Sequence, residues 1–544
     1  MYGIMMDQPL LISNLIEHAA RFHGDTEIVS REPDRSLHRY TYAAARNRAC
    51  QVARALLALG IRSGDRVATM AWNTHRHFEL YYGISGIGAV LHTINPRLFH
   101  DQIRYMANHA EDRVLLLDPS FVANVEAFAH ELETVEHFVI LAPRDRMPAT
   151  SLPNVLCYEE LIAAEAPDFT WPTFDERTAS SLCYTSGTTG NPKGALYSHR
   201  STVLHAMATL AVDALALSAS DSLCPVVPMF HVNGWGTAYS SAMAGCKLVL
   251  PGQYLDGESI CTLLETEEVT VSMAVPTVWL GALKFAETSG RGFHKVKRLL
   301  IGGSAAPPAM IDAFDQQYGV QVIHGWGMTE MSPLGTLASY KGKHHAAPHA
   351  LRKSVRESQG RPTAVVDLKI VDTEGRILPH DGKSVGDLHV RGPCVIAGYF
   401  KDEAASRDAF DAEGWFKTGD VCTIDPDGYV RITDRSKDVI KSGGEWISSI
   451  DLENAAMGHP DVAEAAVIGV HHPKWDERPL LLVVLKPGRT LDKASLLGYL
   501  AEHVAKWWLP DDVVAIDQIP HTATGKILKT KLREDFRSYR LPTA

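Results

Sequence analysis

Short apolar runs alternate with helix-like segments along the first 300 residues, and this alternation constrains the fold more than any other feature. Ala43–Leu59 has the spacing of a helix, whereas Arg66–Ala71 and Val114–Leu117 are typical of strands. Further short apolar runs, each followed by Gly, Pro or helix-start residues, occur at Leu223–Pro228, Lys247–Leu250, Thr270–Ala274 and Arg298–Ile301. Alternating strands and helices favour a layered α/β fold built on parallel sheet.

The chain is expected to form more than one domain, because its 544 residues exceed the ~250–300 that a single hydrophobic core serves. After Arg361-Pro362 the pattern changes to close-set strands, at Val365–Val371, Asp387–Val390 and in a hairpin that turns at Asp425–Gly428. This change predicts an antiparallel β-subdomain.

A smaller α+β region follows a polar segment at residues 434–438. Strands are expected near Ala465–Val470 and Leu480–Leu485, and a helix near Ala494–Lys506. We therefore predict an α/β protein with a large N-terminal domain, residues 1–434, made of layered α/β subdomains and a β-subdomain. Residues 435–544 are predicted to form a small α+β C-terminal domain.

Charge and composition argue against several classes of function. The formal net charge of -11 argues against a nucleic-acid partner. No uncharged apolar run reaches the ~18 residues of a membrane-spanning helix, and the N-terminus lacks the basic start of a signal peptide. The eight cysteines are scattered, as is typical of reduced thiols, so we expect a cytoplasmic protein without an integral membrane segment. The one basic run, Lys341–Arg361, is interpreted as a solvated loop, with contact to an anionic cofactor as the alternative.

The most informative segment is a turn rich in hydroxyls and glycines that follows the apolar residues 181–183. It contains Thr185, Ser186, Gly187, Thr188, Thr189, Gly190 and Lys193. Backbone N–H groups, hydroxyls and an ammonium of this kind can surround a polyphosphate. It is not a Walker A loop, because the lysine lies between Pro192 and Gly194. The segment predicts a phosphate-binding loop of another type.

This loop resembles the phosphate loop of the adenylate-forming superfamily, which includes acyl-CoA synthetases, beetle luciferases and the adenylation domains of peptide synthetases. Segments similar to the other motifs of that superfamily follow in order at Phe230–Trp235, Gly302–Pro307, Gly325–Glu330, Thr418–Asp420, Asp434–Asp438 and Thr522–Lys526. Any one of them would be a weak signal. Together, in register over nearly the whole chain, they are specific.

The resemblance implies a ligase that joins a small-molecule carboxylic acid to AMP and then passes the acyl group to coenzyme A. The implied ATP and AMP contacts, besides the phosphate loop, are Gly303, Ser304, Ala305, His324, Gly325, Trp326, Gly327, Met328, Thr329, Asp420, Arg435 and Lys437. Lys526 is the implied catalytic point charge between the carboxylate and the α-phosphate, and His231, Lys437 and Lys441 complete the implied catalytic set.

The expected cofactors are ATP, Mg²⁺ and coenzyme A. Glu330 offers a hard oxygen ligand to Mg²⁺ on the phosphates, assisted by the hydroxyl of Thr185 or Thr188. Lys437 lies where the superfamily has its hinge. The resemblance therefore implies that residues 435–544 are a mobile lid, which presents either Lys526 or the segment around Lys441. The implied acyl and CoA contacts are His231, Trp235, Gly302, Pro333, Lys441, Gly443, Gly444, Glu445 and Trp446.

Two alternatives stay open. Residues 298–306 also look like a strand entering a G-x-S-x-A turn, as in a serine hydrolase with Ser304 as the nucleophile. Within the superfamily, the acceptor of the acyl group is alternatively oxygen or a carrier-protein thiol.

The acid is the least constrained part of the reaction. Trp235 is expected to act as a wall or gate of an acyl tunnel, or else as a core residue. The motifs most resemble those of bacterial medium-chain acyl-CoA ligases, including 3-methylmercaptopropionate-CoA ligases, and long-chain fatty acids remain an alternative. No charge-reading residue stands out near Val232–Thr237, which favours an apolar acyl tail. A homodimer is expected from the resemblance.

Overall fold

The structure, a computed structural model, describes residues 1, 3–185, 191–443, 445–522 and 526–544, apart from the side chain of Glu445. Within these ranges the strands form four β-sheets, and helices cover the two largest. The predicted α/β class is confirmed. A large N-terminal domain holds three of the sheets, and a smaller C-terminal domain holds the fourth.

The first sheet has seven strands among the described residues. In spatial order they are Val155–Cys157, His137–Ile140, Asp112–Leu117, Arg66–Met70, Val90–Thr93, Ala179–Tyr184 and Gly194–Ser198. All neighbouring pairs are parallel except the last, which is an antiparallel hairpin. The phosphate-loop motif connects the two strands of that hairpin.

The second sheet has nine strands among the described residues. In spatial order they are Arg361–Pro362, Leu334–Leu337, Gln321–Gly327, Arg298–Ile301, Val271–Ala274, Ser222–Pro225, Lys247–Leu250, Glu27–Arg31 and Leu37–Thr41. The six strands from Gln321–Gly327 to Glu27–Arg31 are parallel, and the outer strands are antiparallel.

The two remaining sheets are smaller. The third is antiparallel, in the order Asp367–Val371, Gly386–Arg391, Phe416–Ile424 and Val430–Arg435. The fourth contains Glu445–Ile447, Ile440–Ser442, Asp476–Leu485 and Val462–His472 in this order, and Asp512–Ala515 pairs in parallel with Asp476–Leu485.

The helices in the described ranges begin and end as follows: Ile12–Phe22, Tyr42–Ala58, His75–Ser85, His100–Ala110, Val122–Glu126, Tyr158–Ala163, His199–Leu210, Thr237–Ala244, Gly257–Thr266, Pro276–Ser289, Pro308–Tyr318, Gly342–His345, His349–Glu357, Glu403–Asp408, Ser449–Met457, Lys493–His503 and Lys529–Asp535. Several are capped as their sequences predict. Thr41, for example, accepts a hydrogen bond from the backbone N–H of Ala44 at the start of Tyr42–Ala58. None of the helices described here is long and apolar enough to span a membrane.

Three expectations about local structure need correction. The strand expected to reach Pro228 ends at Pro225, because the backbone N–H groups of Val226 and Val227 both turn to the carbonyl of Met273. The helix expected to reach Lys506 ends at His503.

The basic run at residues 341–361 is not a solvated loop. It forms the helices Gly342–His345 and His349–Glu357, the second of which buries Val355 and Arg356. Arg356 pairs with Asp315 at 2.5 Å, and Lys353 pairs with Asp312 at 2.7 Å. Carboxylates on the neighbouring helix therefore pair with two charges of this run, while Lys341 and Lys343 pair with Asp427 and Arg361 pairs with Asp213.

Candidate active site

A cavity of about 750 Å³ collects most of the residues predicted to form the site. It lies beyond the carboxyl ends of three parallel strands of the nine-stranded sheet, where α/β proteins usually bind ligands. The predicted residues that line it are Thr185, Lys193, His231, Trp235, Gly302, Gly303, Ser304, Ala305, Gly325, Trp326, Gly327, Met328, Thr329, Glu330, Pro333, Arg435, Lys437 and Lys526.

The ends of the phosphate-loop motif are joined to each other. The backbone N–H of Thr185 donates to the carbonyl of Lys193 at 2.9 Å, and the N–H of Lys193 donates to the hydroxyl of Thr185 at 3.2 Å. The predicted contacts from Ser186 to Gly190 lie outside the described residues. Both Thr185 and Lys193 line the cavity.

Glu330 is a buried carboxylate on the wall of the cavity. The hydroxyl of Tyr399 donates to its Oε1 at 2.8 Å, and burial raises the pKa of Glu330. The ammonium of Lys193 lies 5.0 Å from the centre of the Tyr399 ring, within the range of a cation–π contact. Tyr399 thus contacts both the carboxylate of Glu330 and the ammonium of Lys193 in the predicted phosphate site.

Asp420 lies behind the cavity wall and anchors two residues that line it. Its Oδ2 accepts from the indole N–H of Trp326 at 2.9 Å, and its Oδ1 pairs with Nε of Arg435 at 2.9 Å. The Asp420 carboxylate raises the pKa of Arg435, which therefore stays charged. This arrangement joins the nine-stranded and four-stranded sheets at one point.

Lys526 brings the C-terminal domain to the cavity. Its backbone N–H donates to the hydroxyl of Thr522 at 3.1 Å, and Ala523 to Gly525 lie outside the described residues. Burial, followed by repulsion from Arg435, lowers the pKa of Lys526 to about 8. Burial, followed by the Lys526 charge, lowers the pKa of His231 to about 3, so His231 is neutral near pH 7.

The loop after strand Arg298–Ile301 is supported by His324. The backbone N–H of Ala306 donates to Nε2 of His324 at 3.2 Å, and Nδ1 donates to the carbonyl of Glu357 at 3.2 Å. Burial lowers the pKa of His324 to about 4, so the ring is neutral in this tautomer. His324 itself does not line the cavity but braces the loop that does.

Trp235 lies against the backbone of that same loop. A Cβ on Gly302 would lie 3.3 Å from Cη2 of Trp235, and one on Gly303 would lie 3.8 Å from Cζ2. The absence of a side chain at Gly302 therefore allows the indole ring to approach the loop closely. Val226, Val227, Met273, Leu300, Leu334 and Leu337 line the cavity as well, together with Trp235. This end of the cavity is apolar.

The turn that carries Trp235 is left-handed. Val232, Asn233 and Trp235 have φ values of 44°, 43° and 53°, and Gly234 and Gly236 are positive too. Such values are unfavourable for residues with a side chain.

Hydrogen bonds from the seven-stranded sheet hold this turn. Asn233 accepts from Thr93 at 2.9 Å and donates to Ser181 at 2.6 Å, and the N–H of Val232 donates to Sγ of Cys183 at 3.1 Å. Ser181 and Cys183 belong to the strand that leads into the phosphate loop.

The described residues of the segment predicted to bind CoA, Lys441 to Trp446, lie outside the cavity. Lys441 is exposed on the hairpin formed by Ile440–Ser442 and Glu445–Ile447, and its N–H donates to Glu477 at 3.0 Å. Gly443 has a φ of 59°, and a Cβ there would lie 2.9 Å from the Trp475 ring. Neither of these residues lines the cavity, nor does Trp446. Gly444 and the side chain of Glu445 lie outside the described part of the chain.

Arg97 and Tyr399 are among the lining residues that were missed from the sequence. Arg97 lines the cavity, has no carboxylate partner in the described ranges, and lies 5.6 Å from the centre of the Phe230 ring. Arg97 follows the carboxyl end of strand Val90–Thr93, and ligands of α/β proteins bind beyond such ends, so its position could have indicated a site residue. Tyr399 follows no periodic element, and nothing in its surroundings indicated its contact with Glu330.

The structure bears on the serine-hydrolase alternative and on the predicted magnesium site. Ser304 lines the cavity, but in the described residues no hydrogen bond joins it to a histidine. Likewise, the described ranges hold no group of three or more His, Cys, Asp or Glu side chains that suits a metal. Glu330 alone fits the mode in which Mg²⁺ takes one or two carboxylates and otherwise binds phosphates and water.

The sequence matches a known protein family. Residues 15–400 match the AMP-binding enzyme family, and residues 451–526 match the AMP-binding enzyme C-terminal domain.

Two relatives are similar over nearly their full length. The chain is 53% identical over 539 residues to a 3-methylmercaptopropionyl-CoA ligase of Ruegeria lacuscaerulensis, with 99% of each chain covered. It is 49% identical over 536 residues to a medium-chain-fatty-acid–CoA ligase of Ectopseudomonas oleovorans, with 98% of each covered. Among solved structures, an anthranilate CoA ligase in complex with anthranoyl-AMP superposes with a TM-score of 0.87 at 27% identity, covering 98% of both chains.

Proposed function

The chain belongs to the AMP-binding enzyme family, and we propose that it is an acyl-CoA synthetase that forms AMP. A carboxylic acid and ATP give an acyl-adenylate and pyrophosphate. The acyl-adenylate and the thiol of coenzyme A then give the acyl-CoA thioester and AMP. ATP and CoA are the expected substrates of a CoA ligase in this family.

The observation that carries the proposal is the meeting of Lys526, Arg435 and Glu330 around one cavity that has an apolar end. Attack of a carboxylate oxygen on the α-phosphorus forces two anions together, so positive charge and positioning must supply the catalysis. Lys526 and Arg435 provide that charge. Ion pairing with Asp420 fixes the guanidinium of Arg435.

The remaining residues orient the reactants. Asp420, held between Trp326 and Arg435, is proposed to bind the ribose hydroxyls, and the loop braced by His324 is proposed to hold the adenine side. Neutral His231 is proposed to contact the acid next to Lys526 without adding a second positive charge. Lys193 and the phosphate-loop hydroxyls are proposed to hold the pyrophosphate that leaves.

A magnesium ion is proposed on the ATP phosphates, where it supplies charge neutralisation when bound. Glu330 would hold it, with Thr185 as the second ligand. The hydrogen bond from Tyr399 leaves one Glu330 oxygen for this purpose. Mg²⁺ suits the site, because it commonly takes one protein carboxylate and completes its shell with phosphate and water.

The second half-reaction is proposed to require a different orientation of residues 435–544, with Lys437 as the hinge. In the orientation described here Lys526 faces the cavity, whereas Lys441 and Gly443 lie outside it. A rotation near Lys437 would exchange the two faces. The Gly443-Gly444 pair and the residues Glu445 and Trp446 are proposed to flank the pantetheine chain.

The acid is proposed to be 3-(methylthio)propanoate or a medium-chain fatty acid. The apolar lining of the acyl end supports an uncharged tail. The names of the two relatives support both acids. A long-chain fatty acid is the alternative.

A homodimer is proposed from the resemblance to related synthetases, and sedimentation analysis would test it. All eight cysteines are buried and free, which supports a reducing compartment such as the cytoplasm.

The test of the proposed function separates the two steps. Purified protein is incubated with ATP, Mg²⁺ and each acid of a C3 to C16 panel that includes methylthiopropanoate. We expect acid-dependent exchange of pyrophosphate into ATP without CoA, and thioester only after CoA is added. Acid-independent exchange, or release of acid from esters without ATP, would contradict the proposal.

A further inference from the structure

His205 is a buried histidine on the apolar side of the cavity that no step of the proposed reaction uses. It lies on helix His199–Leu210 and lines the cavity among Leu215, Val227, Met273 and Leu300. Only 3% of its surface is exposed. A polar ring buried among aliphatic side chains is unusual unless its nitrogen atoms are hydrogen-bonded.

The hydrogen bonds of His205 define its tautomer. The backbone N–H of Leu334 donates to Nε2 at 3.3 Å, and since an amide N–H only donates, Nε2 carries no proton. Burial lowers the pKa of His205 to about 4, so the ring is neutral near pH 7. The single ring proton therefore lies on Nδ1.

This Nδ1–H has no hydrogen-bond partner among the residues that the structure describes. The backbone of Gly236 faces this edge of the ring, and a Cβ there would lie only 2.7 Å from Nδ1. Only a glycine at this position therefore avoids a clash with the Nδ1 edge. The neighbouring hydroxyl of Thr209 does not satisfy it, because that hydroxyl donates to the carbonyl of His205 at 2.8 Å.

An unpaired donor in an apolar chamber discriminates between acyl tails. An all-carbon tail buries the N–H without a partner, which is unfavourable. A tail with a divalent sulfur or oxygen atom supplies an acceptor, weak in the case of sulfur.

We propose that His205 is a specificity-determining residue whose Nδ1–H donates to a thioether or ether atom in the tail of the acid. The proposal rests on the proposed function, since it assumes that the apolar end of the cavity holds the acyl group. It narrows the substrate class to short acids that carry a thioether or ether atom.

The test uses three acids of nearly equal length: 3-(methylthio)propanoate, 3-methoxypropanoate and pentanoate. Acid-dependent pyrophosphate exchange gives kcat/KM for each acid. The wild type is expected to prefer the sulfur acid to pentanoate by about three- to tenfold, the range of one modest hydrogen bond. His205→Leu, which removes the donor, should bring this ratio close to one.

Two further variants serve as controls for the role of the His205 N–H group. His205→Gln keeps one donor and one acceptor and should restore part of the ratio. His199→Leu is the matched control: His199 is buried on the same helix but does not line the cavity, and its Nδ1 accepts from the N–H of Ile12. It should leave the ratio at the wild-type value.

The outcomes separate this proposal from the proposed function. A wild-type enzyme that exchanges pyrophosphate with all three acids but favours pentanoate over both others overturns the role of His205, and this result does not depend on whether any variant folds. An unchanged ratio in His205→Leu does the same. Absence of exchange with every acid instead contradicts the proposed function.

Discussion

The two ends of the cavity are built differently. The end proposed to bind the nucleotide is held by polar contacts, such as the hydrogen bond from Trp326 to Asp420 between two sheets and the ion pair of Asp420 with Arg435. The end proposed to bind the acyl group is mostly apolar, and Trp235 is carried there on an unfavourable left-handed turn. The difference indicates that catalysis and selectivity are separable. Changes at the first end should affect all acids alike, whereas changes at the second should alter their ranking.

Removal of the Lys526 charge should have the largest effect. Lys526→Ala is expected to lower acid-dependent pyrophosphate exchange by ~10²–10³-fold, the usual loss when one group that stabilises transition-state charge is deleted. The loss should be equal for short and long acids. Lys531→Ala, which removes an exposed lysine paired with Asp535 at 2.7 Å, is the control and should keep wild-type rates. An altered ranking of acids in Lys526→Ala would contradict the separation of the two ends.

Replacement of Lys441 should change neither end of the cavity in this orientation of residues 435–544, because Lys441 does not line the cavity. Lys441→Ala is expected to slow thioester formation about tenfold or more, the loss of one charged hydrogen bond, and to leave adenylation unchanged. Single-turnover measurements with and without CoA distinguish the steps. Equal losses in both would argue against a second orientation of residues 435–544.

The pH dependence of adenylation should report Lys526. Because its pKa is lowered to about 8, the ammonium is present below that pH and is lost above it. We expect kcat/KM to fall about tenfold per pH unit above pH 8, identically for every acid. Lys526→Arg keeps a charge at these pH values, so its profile should lack this decrease. A decrease that persists in the arginine variant would assign it to another group.

Replacement of Trp235 should change the rate least, but it should alter the order in which the enzyme prefers its acids. Trp235→Ala opens the acyl end, so longer acids should gain about three- to tenfold in kcat/KM relative to methylthiopropanoate. The measurement is the C3 to C16 panel, with thermal unfolding recorded in parallel. An unchanged ranking with a lower Tm would identify Trp235 as a packing residue only.

Much of the architecture was predictable because buried parallel strands leave short apolar runs in the sequence. Lys247–Leu250 and Arg298–Ile301 are confirmed to the residue. The structure of the basic run at 341–361 was not predicted, since the carboxylates that pair with it, among them Asp312 and Asp315, lie elsewhere in the chain. Local pattern carries no information about partners distant in the chain.

The candidate site shows the same limit. Most of the described residues that the resemblance picked out line the cavity, but Tyr399 was not among them, because its importance arises only from its contact with Glu330. Nor did the resemblance single out His205, because a histidine in a helix is unremarkable until its neighbours are known. The tautomer of His205 follows from the N–H of Leu334, which is 129 residues away in the chain.

The left-handed turn at residues 232–236 connects Trp235 by hydrogen bonds to the strand that precedes the phosphate loop. Its unfavourable backbone is held by Ser181 and Cys183, at the end of that strand. We expect this shared anchorage to couple the binding of the acid, proposed at Trp235, to the binding of ATP, proposed at the phosphate loop. Coupling between two ligands is reciprocal. ATP should tighten acid binding by the same factor by which the acid tightens ATP binding.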